Sequence, residues 1–196
     1  MFKLLKRQTR EKLAGQVHIE NRIVSLDELD ARPIKKGKSH PVCEFGVTNQ
    51  MTFNRQGFMI TLELFIGQPN DKTLYPGTLD TYRQRMKDDP PVCVTDGGFR
   101  SKQNFTASEV IETAFFGKSE DVPADKQAFC KSARSATEGF IALSKSLMGF
   151  KKSRYRGLEG DRIWSLLCQT AYNLLKFLQL YRDEKLEEDT LIKLGL

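Results

Sequence analysis

Val92-Cys93-Val94-Thr95-Asp96-Gly97-Gly98-Phe99 decides how this chain is read. A β-branched run ends in a carboxylate and turns at once on two glycines. That is the pattern of a buried strand delivering Asp96 to a sheet edge, followed by a turn that uses glycine's torsional freedom. Two uses of Asp96 are open at this point. It is either a free acid at the end of a strand or an Asp-Gly turn capping its own loop.

Upstream, 42–53 and 58–66 read as two strands joined by the polar turn Asn54-Arg55-Gln56-Gly57, a hairpin. Gly67-Gln68-Pro69-Asn70-Asp71 breaks the second strand and offers Asn70 or Asp71 as a helix cap. A helix over 73–86 fits, with Pro76 and Gly77 disturbing its first turns. After Asp96, 101–112 reads as helical and Ala114-Phe115-Phe116 as one more strand. The stretch 117–128 reads as a polar connection. Further upstream, Arg22-Ile23-Val24-Ser25-Leu26 reads as a short strand. Residues 27–38 read as a polar, basic loop broken by Pro33 and Gly37, with Lys35, Lys36 and Lys38 placed for a DNA backbone or for solvent.

The sharpest periodicity lies over 132–148. Arg134, Glu138 and Lys145 are spaced by four and seven and share one helical face, while Phe140, Leu143 and Leu147 fall opposite. An ordinary solvated ion pair is the plainer account of that face. Lys151, Lys152, Arg154 and Arg156 then form a basic cluster around Tyr155, suited to phosphate contacts with stacking, or to a plain basic loop. A long helix follows over 158–181, whose Asp161, Arg162 and Lys176 exclude a membrane role.

The bulk properties agree with a globular chain. It has 196 residues, 39% hydrophobic and 29% charged, with a net charge of +6 and a pI of about 9.1. The basic surplus favours a polyanionic partner. Four scattered cysteines without a paired spacing, and only His18 and His40 beside them, argue against zinc. Cys93 and Cys168 read as reduced core residues of a cytoplasmic protein. No secretory leader or membrane span is evident. Residues 1–20 read as a basic helix or arm, 21–182 as the main domain and 183–196 as a charged tail.

Asp96 and Glu138 are two acids of the kind that metal-assisted phosphoryl transfer requires. Here the sequence resembles bacterial insertion-sequence transposases of the DDE class. The likeness runs through Asp-Ala-Arg-Pro-Ile-Lys-Lys-Gly-Lys at 30–38, Glu-Phe-Gly at 44–46, Gly-Gln-Pro-Asn-Asp at 67–71 and Asp-Gly-Gly-Phe at 96–99. It continues through Arg134, Glu138 and Lys145, which match an Arg-x3-Glu-x6-Lys motif, and through Asp-Arg-Ile-Trp at 161–164 and Ala-Tyr-Asn-Leu at 171–174. The resemblance implies a ribonuclease H-like α/β fold, a mixed sheet flanked by helices. It implies that Asp96 and Glu138 are catalytic acids ligating Mg²⁺ or Mn²⁺. Arg134 and Lys145 would contact DNA phosphates or steady Glu138. The implied activity is cleavage and transfer of DNA strands at transposon ends and target, by a protein that can form homo-oligomers.

Two departures accompany it. The tyrosine that the family often carries three residues before the arginine is Lys131 here. The family's first catalytic aspartate lies on a central strand upstream of Asp-Ala-Arg-Pro, and no residue here matches it; Asp27 and Asp30 are the nearest substitutes. The expectation is therefore the C-terminal part of a catalytic domain. The alternative is a non-catalytic DNA-binding remnant that interferes with an intact transposase.

Overall fold

The structure, a computed structural model, describes residues 1–35 and 43–183. Its elements run α1 (Phe2–Leu13), β1 (Arg32–Lys35), β2 (Cys43–Phe53), β3 (Met59–Ile66), α2 (Asp71–Met86), β4 (Val92–Thr95), α3 (Lys102–Ala107), β5 (Thr113–Phe116), α4 (Ala124–Leu147) and α5 (Gly157–Arg182).

The expected hairpin is present. β2 and β3 pair antiparallel around the turn at 54–57, with a bulge at Thr52/Phe53. Asn54 closes the turn by accepting the Phe58 N–H at 2.9 Å. Gly57 sits at φ +89°, and a Cβ there would meet the Phe140 ring at 2.9 Å, so the turn requires glycine. The hairpin has two unlike faces. Met59 and Leu62, with Met51, Phe53 and Leu64, pack on Cys168 and Tyr172 of α5 and on Phe140 of α4. The other face is polar. There Gln50 donates to Thr78 of α2 at 2.6 Å, and Thr78 and Thr81 donate to Glu63 at 2.7 and 2.9 Å.

β4 and β5 pair in parallel, Val92 opposite Thr113 and Thr95 opposite Phe116. Cys93 and Phe116 pack on Tyr75 and Leu79 of α2 and on Phe105 of α3. Val94 and Phe115 pack on Cys130 of α4 and on Val122. Helix α2 thus lies over one side of both sheets, while α4 and α5 cover the other. Asn70 caps α2, accepting the Lys72 N–H at 3.0 Å, and Pro76 is accommodated within its first turns.

Where a mixed sheet lacking its central strand is expected, the described residues form two sheets, β1-β2-β3 and β4-β5. Several other expectations need correction. The 22–26 segment is not a strand, because its partner is a side chain. The Gln8 amide of α1 accepts the Ile23 N–H at 2.8 Å and donates to the Ile23 carbonyl at 3.1 Å. The 27–38 loop instead contains β1, which pairs with the start of β2. Pro33 fits there because β1 is an edge strand. The helix expected over 101–112 is only α3, and α4 starts eight residues earlier than its periodicity suggested. Leu147, expected on the packed face of α4, is 59% exposed.

Candidate functional site

The site forms where β4 and β5 end side by side. Asp96 follows β4 directly and is exposed. Its Oδ1 accepts the Gly98 N–H at 2.7 Å and caps the short turn Gly97–Phe99. The turn-capping reading is therefore realised, while the rest of the carboxylate faces outward. Gly117, just past β5, holds φ +82°, and a Cβ on it would fall 2.4 Å from the Gly97 nitrogen. The two loops touch backbone to backbone there.

The same Gly117 lines an open cleft of about 350 Å³ with Phe115 and with Lys131, Arg134, Ser135 and Glu138 of α4. Glu138 is exposed and pairs with Arg134 at 3.7 Å, the i,i+4 contact its spacing predicts. The loop of Asp96 and the cleft of Glu138 thus share Gly117. Among the described residues, no three His, Cys, Asp or Glu side chains converge as a metal site.

A second acid lies beside Asp96. A Cβ on Gly98 would be 2.7 Å from Asp71 Oδ2 and 2.9 Å from Asp96 Oδ1, so both carboxylates crowd that glycine. The Asp71 carboxyl is pushed up, first by desolvation and then by the Asp96 charge. The sequence offered Asp71 only as a cap, and Asn70 takes that part.

The loop between β5 and α4 is clamped by Asp121, whose side chain is fully enclosed. Its Oδ2 accepts the Phe116 and Lys118 N–H groups at 3.0 and 3.3 Å. Its Oδ1 takes Arg100 Nε at 3.0 Å. Arg100 follows the Asp96 turn, so one ion pair ties both loops of the site.

The sequence profile of the transposase DDE domain matches residues 25–174, about three quarters of the chain. The chain belongs to this family. No curated protein and no solved structure matches it. Within this transposase DDE domain, the match begins after α1 and covers both sheets, α2 to α4 and most of α5.

The remaining expected contacts of the transposase domain are dispersed. Lys145 is exposed on α4 beyond the cleft. Lys151, Lys152, Arg154 and Arg156 are exposed in the connection from α4 to α5. Arg154 lies over the Trp164 ring at 5.5 Å, and Tyr155 meets the same ring edge-on at 6.0 Å. Lys35 is exposed at the end of β1, and Lys36 and Lys38 lie outside the described residues. Asp30 accepts the Leu158 N–H at 3.2 Å and Glu28 the Gly157 N–H at 2.8 Å, both at the start of α5. Asp30 is thus engaged as a helix cap, and Asp27 is exposed. Lys131, Ser135 and Gly117 are cleft residues that the sequence did not single out as functional. A glycine directly after the apolar run Ala114-Phe115-Phe116 was the available signal for Gly117.

Proposed function

We propose that this domain acts in DNA transposition, with Asp96 and Glu138 as its reacting-centre acids and the cleft between Gly117 and α4 receiving the DNA phosphate. What supports this reading most is the sharing of Gly117 by the Asp96 turn and the Glu138 cleft, inside a transposase DDE domain. Arg134 and Lys131 give the cleft its positive charge, and Arg134 also holds the Glu138 carboxylate in place.

A divalent cation fits the donor set in part. Mg²⁺ takes one or two carboxylates and completes its shell with water and phosphate oxygens. Asp96 and Glu138 would hold it, and the crowding of Asp71 against Asp96 is a repulsion that a cation relieves. When bound, such an ion orients the attacking oxygen and stabilises the leaving one. The chain's own residues place the phosphate, screen its charge and hold Glu138 beside Arg134. Lys145 and the basic segment at 151–156 extend the contact along the DNA backbone. The proposed setting is the cytoplasm, where the DNA lies. Among the described residues, no helix is long and apolar enough to cross a membrane.

A second reading, a non-catalytic DNA-binding remnant, is favoured by the commitment of Asp96 to its own turn and by the lack of a three-residue ligand cluster among the described residues. Mg²⁺-dependent nicking of a transposon-end duplex separates the two. Nicking lost in both Asp96→Asn and Glu138→Gln, with DNA binding retained, supports catalysis. Binding without nicking in the unsubstituted chain supports the remnant. Nicking that survives Glu138→Gln removes that residue from the reaction.

A further inference from the structure

A second hollow lies away from the cleft, beside β1. It measures about 570 Å³, within the roughly 300–1,000 Å³ of ligand cavities. The segment 17–24, Arg32 and Pro33 of β1, and Phe45 of β2 bound it. One wall is an apolar step. Phe45 and Pro33 are register partners across β1 and β2, and Phe45 is left 63% exposed. The remaining charge is cationic. His18, Arg22 and Arg32 line the hollow, and among the described residues no acid does.

The walls are held from outside the hollow. The Gln8 side chain of α1 bonds both the N–H and the carbonyl of Ile23, at 2.8 and 3.1 Å, and Arg7 donates to the Glu20 carbonyl at 3.1 Å. Asn21 turns the segment at φ +51°, a left-handed conformation that asparagine tolerates. Arg32 donates through Nη1 to the Leu29 and Ala31 carbonyls at 2.7 and 2.9 Å, which orients its guanidinium. Arg22 is exposed, and its side chain has no partner among the described residues.

We propose that this hollow binds an unpaired nucleotide of a DNA strand, its base stacked on Phe45 and its phosphate held by Arg22 and Arg32. The hollow shares no lining residue with the Glu138 cleft, so binding here stands apart from the reaction proposed there. Charge complementarity selects the partner. An exposed aromatic ring beside guanidinium groups suits a single strand, the ring taking a base and the cations its backbone. A duplex could use only the cations, because its bases are already stacked on both faces. The surrounding charge also draws a polyanion. Residues 1–24 hold six cations against two acids, a net +4 of the chain's +6. The family profile begins at residue 25, so the segment 17–24 lies outside the matched domain and the hollow belongs in part to this chain's own flank.

Fluorescence anisotropy of the 196-residue chain with labelled oligothymidylate, and with a duplex of the same length, tests this in the absence of divalent cations. Thermal melts followed by circular dichroism check the fold of each variant. Phe45→Ala and Phe45→Leu are each expected to weaken oligothymidylate binding about tenfold, as loss of one base stack does, and to leave duplex binding unchanged. Arg22→Ala is expected to lower the logarithmic salt slope for the single strand by about 0.7. Phe45→Trp is expected to keep the affinity and to gain an emission that oligothymidylate quenches, over the background of Trp164, the chain's one native tryptophan. Full affinity for oligothymidylate in Phe45→Leu, an equal loss on single strand and duplex, or an unquenched Phe45→Trp would each overturn the proposal. So would displacement of the labelled strand by polyglutamate as readily as by unlabelled oligothymidylate, which would assign the hollow to acidic peptides.

Discussion

Gly117 is the residue on which the candidate site turns. Its φ of +82° is costly for any residue with a Cβ, and here the Cβ would also strike the backbone of Gly97 and Asp96. Gly117→Ala is expected to lower stability by at least about 2 kcal/mol in a denaturant titration. It should also weaken Mg²⁺-dependent nicking beyond what the stability loss explains, because the turn carrying Asp96 has to move. Tyr172 is a second informative residue. It is 1% exposed and donates to the Gly57 carbonyl at 3.0 Å, and burial pushes its hydroxyl up to about 12. The folded state therefore holds this proton more tightly than the unfolded chain, in which tyrosine ionises near about 10. Its contribution is complete below that value and falls as the pH climbs towards about 12. Tyr172→Phe should flatten this part of an alkaline stability profile. At neutral pH it should lose about 1 kcal/mol with the hydrogen bond.

At the scale of elements, side-chain amides stand in for strands. An amide offers one donor and one acceptor, as a peptide unit does. Gln8 serves Ile23 in this way, Gln68 serves Lys35 (2.8 and 3.2 Å), and Asn173 of α5 serves Met59 (2.8 and 3.0 Å). The last of these fixes α5 to the start of β3. The junction of β5 and α4 depends on Asp121 instead. Asp121→Ala strands the Phe116 and Lys118 N–H groups and leaves Arg100 without its enclosed partner. Thermal unfolding should report a loss of about 3 kcal/mol. The neighbouring Glu120, 65% exposed, also touches Arg100, and Glu120→Ala should stay within about 0.5 kcal/mol.

For the whole molecule, charge and layering matter most. A net charge of +6 with an exposed basic segment at 151–156 predicts DNA binding that weakens steeply with salt. Fluorescence anisotropy should show affinity falling with salt. Replacing Lys151, Lys152, Arg154 and Arg156 together by alanine should reduce the logarithmic slope by about 0.9 for each phosphate no longer neutralised. An unchanged slope would place the DNA elsewhere. The two sheets share α2 on one side, yet among the described residues β2 beyond Gly46 and β4 each pair on one side only. Unpaired edges of this kind favour association, so low solubility of the isolated chain is expected.

The elements whose signals are local were legible in the sequence. The polar Asn54-to-Gly57 turn between two apolar runs marked the β2–β3 hairpin, the Asp-Gly-Gly step marked the end of β4, and the Arg134–Glu138 spacing marked one face of α4. Each of these depends on neighbours a few residues apart, where backbone period and turn chemistry act alone. Only the tertiary structure decided that Gly117 presses on Asp96, that Asp71 stands beside it, that Asp30 caps α5, and that Gln8 replaces a strand for Ile23. Those pairings join residues 15 to 128 positions apart, and which of them form depends on how the layers close over one another, a choice no local pattern encodes.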